Sequence, residues 1–495
     1  MPTDPNLSLL GTDVPFVPSS VQRITLYEKF KSKIIHNSYL DRTLVSFQAN
    51  KQSPFSSWFK YREGFSERLV TYLLQEFQPQ PGIMLDPFSG SGSSLFAANA
   101  LSWQIIGIEV LPVGIFATKA RIIAHQIDVN ALNSIILQLK KINLLDYYDE
   151  RYKFKHLKIT HGAFSPENEA KLVSYISFCY NHVFEENIQN ILIYAAFCIL
   201  EDISYTRKDG QYLRWDNRSS RSPGKNQFNK GEILNFEDAI YQKLKQISSD
   251  LVVDAIQLGL FDEQPVYKFE NCENIKSHLY QTSCLETLPT LPENSIDFVV
   301  TSPPYANRYD YTRTYALELA FLGCGDEEVK HLRQTMLSCT VENREKRNYL
   351  ENFYINLKRD QDFLKIETTF QNQAALQEIL IILETYKKQG KLNNNNIAKM
   401  VRNYFYEMCF VIYELARVLK VGGIVAMIND NVRYAGEEIP VDLILSDIAE
   451  KFGLQTRYIW TLGRGKGNSS QQMGHHGRSE LRKCVYIWEK QLPCP

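Results

Sequence analysis

The chain has 495 residues, 44% of them hydrophobic and 22% charged, proportions that exclude wholesale disorder. Its 55 Lys and Arg stand against 56 Asp and Glu, a formal net charge of -1. A uniformly basic nucleic-acid coat is therefore excluded, although a local basic face is not. No run approaches the roughly 18 apolar residues of a membrane span, and the stretch from Met1 to Pro15 lacks the charged-then-apolar pattern of a signal peptide. The nine cysteines form no Cys-x-x-Cys pair. They point to free thiols in a reducing cytoplasm rather than to disulfides or a zinc site.

Residues 1–50 read as a peripheral extension, with a helical stretch at Val21–His36. Phe55–Glu76 is again helical, with Phe65, Leu69, Leu73 and Leu74 at helical spacing. Gln78–Gly82 breaks it. Ile83–Leu85 is a short buried strand, Ser89–Ser94 a Gly/Ser turn, Leu95–Leu101 a small-residue helix and Ile105–Ile108 a second strand ending in Glu109. Strand, glycine turn, helix, strand and acidic residue make half of a nucleotide-binding α/β sheet. Residues 125–275 are mostly helical and aromatic-rich, with one polar interruption, Tyr205–Lys230. The α/β pattern returns at the strand Ile296–Val300. A helix, Tyr404–Leu419, is closed by Gly422 and Gly423, and the strand Ile424–Ile428 follows. Val441–Phe452 reads as a helix, Thr456–Thr461 and Lys483–Trp488 as strands. Gly323–Lys399 is a second helical, polar insert with a low-complexity Asn393–Asn396. The expected architecture is one sheet split by two mostly helical insertions.

Two segments carry chemistry. In the turn Asp86-Pro87-Phe88-Ser89-Gly90-Ser91-Gly92-Ser93-Ser94, the glycines let a ligand approach backbone with no Cβ in the way. The following helix offers unpaired N–H groups. Glu109, at the end of the next strand, can accept both ribose hydroxyl protons. A lone Gly-x-Gly is compatible with a plain turn; the flanking strand, helix and acid make it a cofactor site. The second segment, Thr301-Ser302-Pro303-Pro304-Tyr305, follows an apolar strand. Two prolines remove backbone donors, leaving acceptors: the Ser302 hydroxyl and nearby carbonyls. Tyr305 adds a stacking face. Such a site suits a planar group bearing an exocyclic amine, although prolines after strands also occur as plain rigid turns.

In these residues the chain resembles the amino-directed DNA methyltransferases that use S-adenosylmethionine. Asp86, Phe88, Ser89, Gly90 and Gly92 match their methionine-binding motif and Glu109 their ribose-binding acid. The segment Phe65–Leu69 is similar to the one that closes over the methionine end. Ser302, Pro303, Pro304 and Tyr305 match the catalytic motif in the form of the cytosine-N4 branch; adenine-N6 enzymes usually carry Asp or Asn at position 302. Cys284–Pro289 with Asn294–Asp297, and Glu414–Gly423, fit the segments around it. The resemblance implies a Rossmann-like methyltransferase sheet, with the cofactor-binding half at 51–125, the catalytic motif at 279–322 and a C-terminal half at 400–495. It implies helical inserts at 126–278, the expected target-recognition region, and at 323–399. In one departure, Thr282-Ser283 stands where the family has Gly-Asp, so either Ser283 contacts the cofactor's adenine more weakly than the carboxylate would or another group substitutes. In another, the cofactor motif precedes the catalytic one, so the domain is permuted relative to many cytosine-N4 enzymes. Carbon-5 methylation needs a Pro-Cys nucleophile after the catalytic strand; the only Pro-Cys is Pro493-Cys494, in the tail.

The segment Tyr205–Lys230 holds Arg207, Lys208, Arg214, Arg218, Arg221, Lys225 and Lys230 against Asp209 and Asp216, a basic patch in a near-neutral chain. Arg and Lys suit phosphates, and Arg also reads base edges. Arg464 and Lys466, with Arg478, form a second candidate in a glycine-rich loop. His475 and His476 have no partner spacing for a metal. Arg308, Tyr309, Asp310, Tyr311 and Arg313 line the target pocket or shape its loop. The expected activity is methyl transfer from S-adenosylmethionine to cytosine N4 in double-stranded DNA, in the cytoplasm and without metal. A separately acting restriction endonuclease is the implied partner. Adenine-N6 methylation, RNA methylation and a non-catalytic DNA-binding subunit are the rivals.

Overall fold

Among the described residues eight strands share one sheet: β1 (Ile34–His36), β2 (Ile83–Asp86), β3 (Gln104–Ile108), β4 (Leu279–Tyr280), β5 (Ile296–Thr301), β6 (Leu419–Asp430), β7 (Leu454–Thr461) and β8 (Lys483–Lys490). The computed structural model describes residues 19–61, 64–209, 212–221, 228–260, 278–462 and 481–492. The strand order is β1-β7-β8-β6-β5-β2-β3-β4. Only β8 runs antiparallel to its neighbours; all other pairings are parallel. This is a mixed α/β, Rossmann-like sheet. Its central strands are apolar on both faces, as a parallel sheet covered on both sides requires. Val299, Val425 and Met427 face one core with the long helix Ile397–Val418. Phe298, Val300, Ala426 and Ile428 face the other, with Leu69, Leu73, Leu95 and Phe96.

The stretch between β3 and β4 builds a third core of its own from helices such as Pro166–His182, Glu186–Cys198 and Phe236–Leu260. That core also takes in Phe55, Trp58, Phe59 and Tyr61 from before β2 and Tyr315–Ala320 from after β5. The helical region is thus packed onto the segments before β2 and after β5 rather than hung on a linker. Between β5 and β6 lie four further helices, from Asp326–Thr335 to Ala374–Lys388.

Three local expectations change. The helix beginning at Val21 ends at Phe30, and Ile34–His36 instead pairs with β7 as an edge strand. Phe55–Glu76 is not one helix: turns occupy its first part and the helix is Glu67–Phe77. Ser66 sets that start, because its hydroxyl accepts the Leu69 N–H at 3.2 Å, satisfying a donor the helix leaves open. Gly422 and Gly423 do not close a helix. The helix stops at Val418 and the glycines lie inside β6, where a Cβ on Gly423 would sit 2.9 Å from the Asp297 carbonyl. The polar interruption at 205–230 also contains a hairpin, Thr206–Asp209 against Tyr212–Trp215.

Candidate active site

β2 and β5 lie side by side, and the sheet order reverses between them. A crevice opens outside the carboxyl ends of strands at such a switch point. Asp86 ends β2 and is 1% exposed. Its Oδ1 accepts the Phe88 N–H at 3.0 Å and the Thr301 hydroxyl at 2.7 Å, and its Oδ2 accepts the Ser94 hydroxyl at 2.5 Å. One carboxylate therefore joins the end of β2, the end of β5 and the first turn of the helix Ser93–Ala100. Asp86, expected at the cofactor, accepts hydrogen bonds from these three donors of the chain itself. Burial pushes its carboxyl up to about 6.

The glycine turn follows. Gly90 and Gly92 have φ of 53° and 84°, values that favour glycine. A Cβ on Gly92 would lie 2.9 Å from the Thr118 hydroxyl, and one on Gly90 2.8 Å from the Tyr61 ring. The Gly90 N–H donates to Glu109 Oε2 at 2.8 Å and the Leu111 N–H to Oε1 at 2.7 Å. Glu109, 8% exposed, is thereby fixed at the rim of the crevice with lone pairs left over for further donors. Burial pushes its carboxyl up to about 7. Gly114, which carries no motif signal, also matters, since a Cβ there would collide with the Gly90 carbonyl.

A narrow cleft with about 60 Å³ of internal space lies over the turn. Phe88, Gly90, Glu109, Ser283, Ser302 and Pro304 all line it. Ser89 does so only indirectly, tying the turn to the Ile108 carbonyl through its N–H at 3.0 Å. Phe65 does not reach it but is buried with Leu69 and Val70; the ring over Gly90 is Tyr61. The Ser283 hydroxyl accepts the Leu285 N–H at 3.3 Å and donates to the Thr335 carbonyl at 3.3 Å. Its hydroxyl is thus engaged with backbone, and the wall beside it is completed by Met336 and Leu337. These two residues of the second insert gave no sequence signal, being ordinary apolar side chains. The mixture of a glycine floor, an acid at the rim and apolar walls fits a nucleoside-bearing cofactor.

Ser302 and Tyr305 are half-buried. The Ser302 hydroxyl donates to the Tyr305 hydroxyl at 3.2 Å, which directs the serine proton away and leaves its lone pairs as acceptors. The loop beyond is anchored by the Tyr434 hydroxyl, which donates to the Ala306 carbonyl at 2.6 Å. Asp310 shapes this loop, pairing with Arg313 and Arg333, while Tyr311 reaches the cleft.

The basic segment divides by facing. Arg207 is exposed. Arg214 pairs with Asp209 at 2.9 Å with its side chain 42% exposed. Arg218 is held by Asp216 at 2.7 Å, and Arg221 donates to the Lys158 carbonyl at 2.7 Å. Lys208 is a correction: its side chain is 4% exposed and its ammonium lies 2.5 Å from Glu318, out of reach of a phosphate. Lys230 is likewise turned inward, donating to the Ser204 carbonyl at 2.8 Å. Lys225, Arg464 and Lys466 lie outside the described residues. Among the described residues, no group of three or more His, Cys, Asp or Glu could hold a metal ion, and no helix is long and apolar enough to cross a membrane.

The chain is 45% identical over 481 residues to the type II methyltransferase M.AvaI of Nostoc sp., covering 95% of each chain. It is 39% identical over 489 residues to the type II methyltransferase M.BsoBI of Geobacillus stearothermophilus, covering 96% of this chain and 93% of the relative. The type II methyltransferase M.MvaI of Kocuria varians is 22% identical over 393 residues, 78% of each. No protein-family model and no solved structure matches the chain.

Glu109 has a pH consequence. Burial pushes its carboxyl from the ordinary glutamate value up to about 7, so the folded state holds the proton more tightly. Folding stability from this group is fully present at low pH and declines as pH rises toward 7. Glu109→Gln should remove that component. In urea unfolding at pH 5, 6, 7 and 8, the wild type should lose stability relative to the variant as pH rises; a difference independent of pH contradicts this.

Proposed function

Because the chain belongs to the type II DNA methyltransferases of restriction–modification systems, we propose that it methylates N4 of cytosine in double-stranded DNA with S-adenosylmethionine as donor. Gly90 and Phe88 would face the methionine end, Glu109 would accept the ribose hydroxyls, and Val110, Met336 and Leu337 would enclose the base. When bound, S-adenosylmethionine supplies an electrophilic methyl group. A duplex hides the target amine, so the base must leave the stack. Tyr305 supplies the face on which it stacks, worth roughly 1–3 kcal/mol by analogy with single-strand binders. The Ser302 lone pairs and the Pro303 carbonyl accept the two amine hydrogens and turn the nitrogen lone pair toward the cleft. The rest of the rate gain is positioning.

The observation that carries the cytosine assignment is Ser302 with its proton committed to Tyr305. A neutral acceptor of this kind is the form of the cytosine-N4 branch, whereas a carboxylate or amide occupies the position in most adenine enzymes. The modification would protect the sites of a separately acting endonuclease.

Mass spectrometry of nucleosides from DNA methylated in vitro tests the base directly. N4-methylcytosine is expected, and N6-methyladenine alone overturns the assignment. In the same assay Ser302→Ala should lower kcat more than it weakens DNA binding, since its hydrogen bond strengthens as the amine becomes tetrahedral.

The DNA contact is proposed for the outer side of the hairpin, at Arg207 and Arg214, and for Arg221 in the turn beyond it. Arg207→Ala should reduce the slope of log affinity against log salt by about 0.9, one phosphate's share of counterion release. A slope unchanged across several salt concentrations would place the contact elsewhere.

A further inference from the structure

The buried pair Lys208–Glu318 lines neither the cleft nor the outer face of the hairpin. It sits where three parts of the chain meet. Lys208 projects inward from the hairpin strand Thr206–Asp209, while its neighbour Arg207 points out. Glu318 comes from the helix Ala316–Phe321, which follows the Ser302–Tyr305 loop. The Lys208 ammonium lies 4.7 Å from the centre of the Tyr315 ring and 5.0 Å from that of Phe59. Tyr315 stacks on Tyr61, with ring centres 5.1 Å apart and an interplanar angle of 11°. Tyr61 in turn lies against Gly90 and lines the cleft. The Oε2 of Glu318 is buried without a hydrogen-bond partner, and Lys208 is the cation paired with this carboxylate.

We infer that Lys208 is a positioning residue for the cofactor pocket: with Glu318 behind it, it holds Tyr315, and through Tyr315 the Tyr61 ring over Gly90. The cation sits against the Tyr315 ring, an arrangement attractive in itself and stronger when water is excluded. Removing the cation leaves Glu318 buried and unpaired, which favours a shift of the helix that carries both Glu318 and Tyr315. Tyr61 then loses its stacking partner, and the pocket loses the wall above its glycine turn. The hairpin that presents Arg207 and Arg214 is thereby fastened to the pocket wall by the residue between them. A purely structural ion pair would lower stability and leave the cofactor parameters alone, which separates the two roles.

This inference rests on reading the cleft as the S-adenosylmethionine site. The test is steady-state methyl transfer by the full chain, with tritiated S-adenosylmethionine and duplex DNA, for the wild type, Lys208→Met, Lys208→Arg and Glu318→Gln. Lys208→Met should raise the KM for S-adenosylmethionine about tenfold, equivalent to roughly 1.4 kcal/mol, with the KM for DNA and kcat at saturation little changed. Lys208→Arg, which keeps a cation against Glu318 and Tyr315, should recover most of the loss. Glu318→Gln keeps the shape, should move the cofactor KM in the same direction, and decides the question if Lys208→Met does not fold. An unchanged cofactor KM in the folded variants, with only a lower melting temperature, overturns the inference. A wild type with no S-adenosylmethionine-dependent activity overturns the cofactor reading itself and the inference with it.

Discussion

The carboxylate of Asp86 is the joint on which the site hangs. Three donors from three elements converge on it: the Phe88 N–H in the turn, the Thr301 hydroxyl at the end of β5 and the Ser94 hydroxyl in the next helix. A buried carboxylate is tolerable only when its lone pairs are met. Satisfying them fixes the ends of β2 and β5 at one spacing. The glycine turn leaves from one of these ends and Ser302–Tyr305 from the other, so the distance between the two motifs is set by this joint. Glu109 repeats the device one strand further out, holding the turn by the Gly90 N–H and the chain beyond by the Leu111 N–H.

Around this frame the walls come from far apart in sequence. Tyr61 lies between β1 and β2, Tyr311 follows Ser302–Tyr305, and Met336 and Leu337 belong to the second insert. Their convergence explains why the helical core between β3 and β4 includes Phe55–Tyr61 and Tyr315–Ala320. The insert is packed onto the same segments that close the pocket, so its position and the pocket's shape are not independent.

Much of this was legible in the sequence where one local signal sufficed. Ile83–Asp86, Gln104–Ile108 and Ile296–Thr301 are apolar runs bounded by turn residues, and they fall where expected. Gly90, Glu109 and Ser302 each carry a residue type their position demands, and all three line the cleft. What was not legible depends on partners distant in sequence. Three residues at Ile34–His36 have no periodicity to read; pairing with β7 makes them a strand. Asp86 reads in sequence as part of the glycine-turn motif, yet only the fold reveals Thr301 and Ser94 beside it. Lys208 was counted with its basic neighbours because composition cannot see facing. In a strand, alternate residues point to opposite sides, and that parity separates Arg207 from Lys208.

The most direct test of the account is a crystal structure of the protein with S-adenosylhomocysteine. The account predicts the ribose hydroxyls on Glu109, the amino-acid end over Gly90 beneath Tyr61, and the sulfur facing Ser302. A ligand bound away from Glu109, or with its sulfur turned from Ser302, would contradict it.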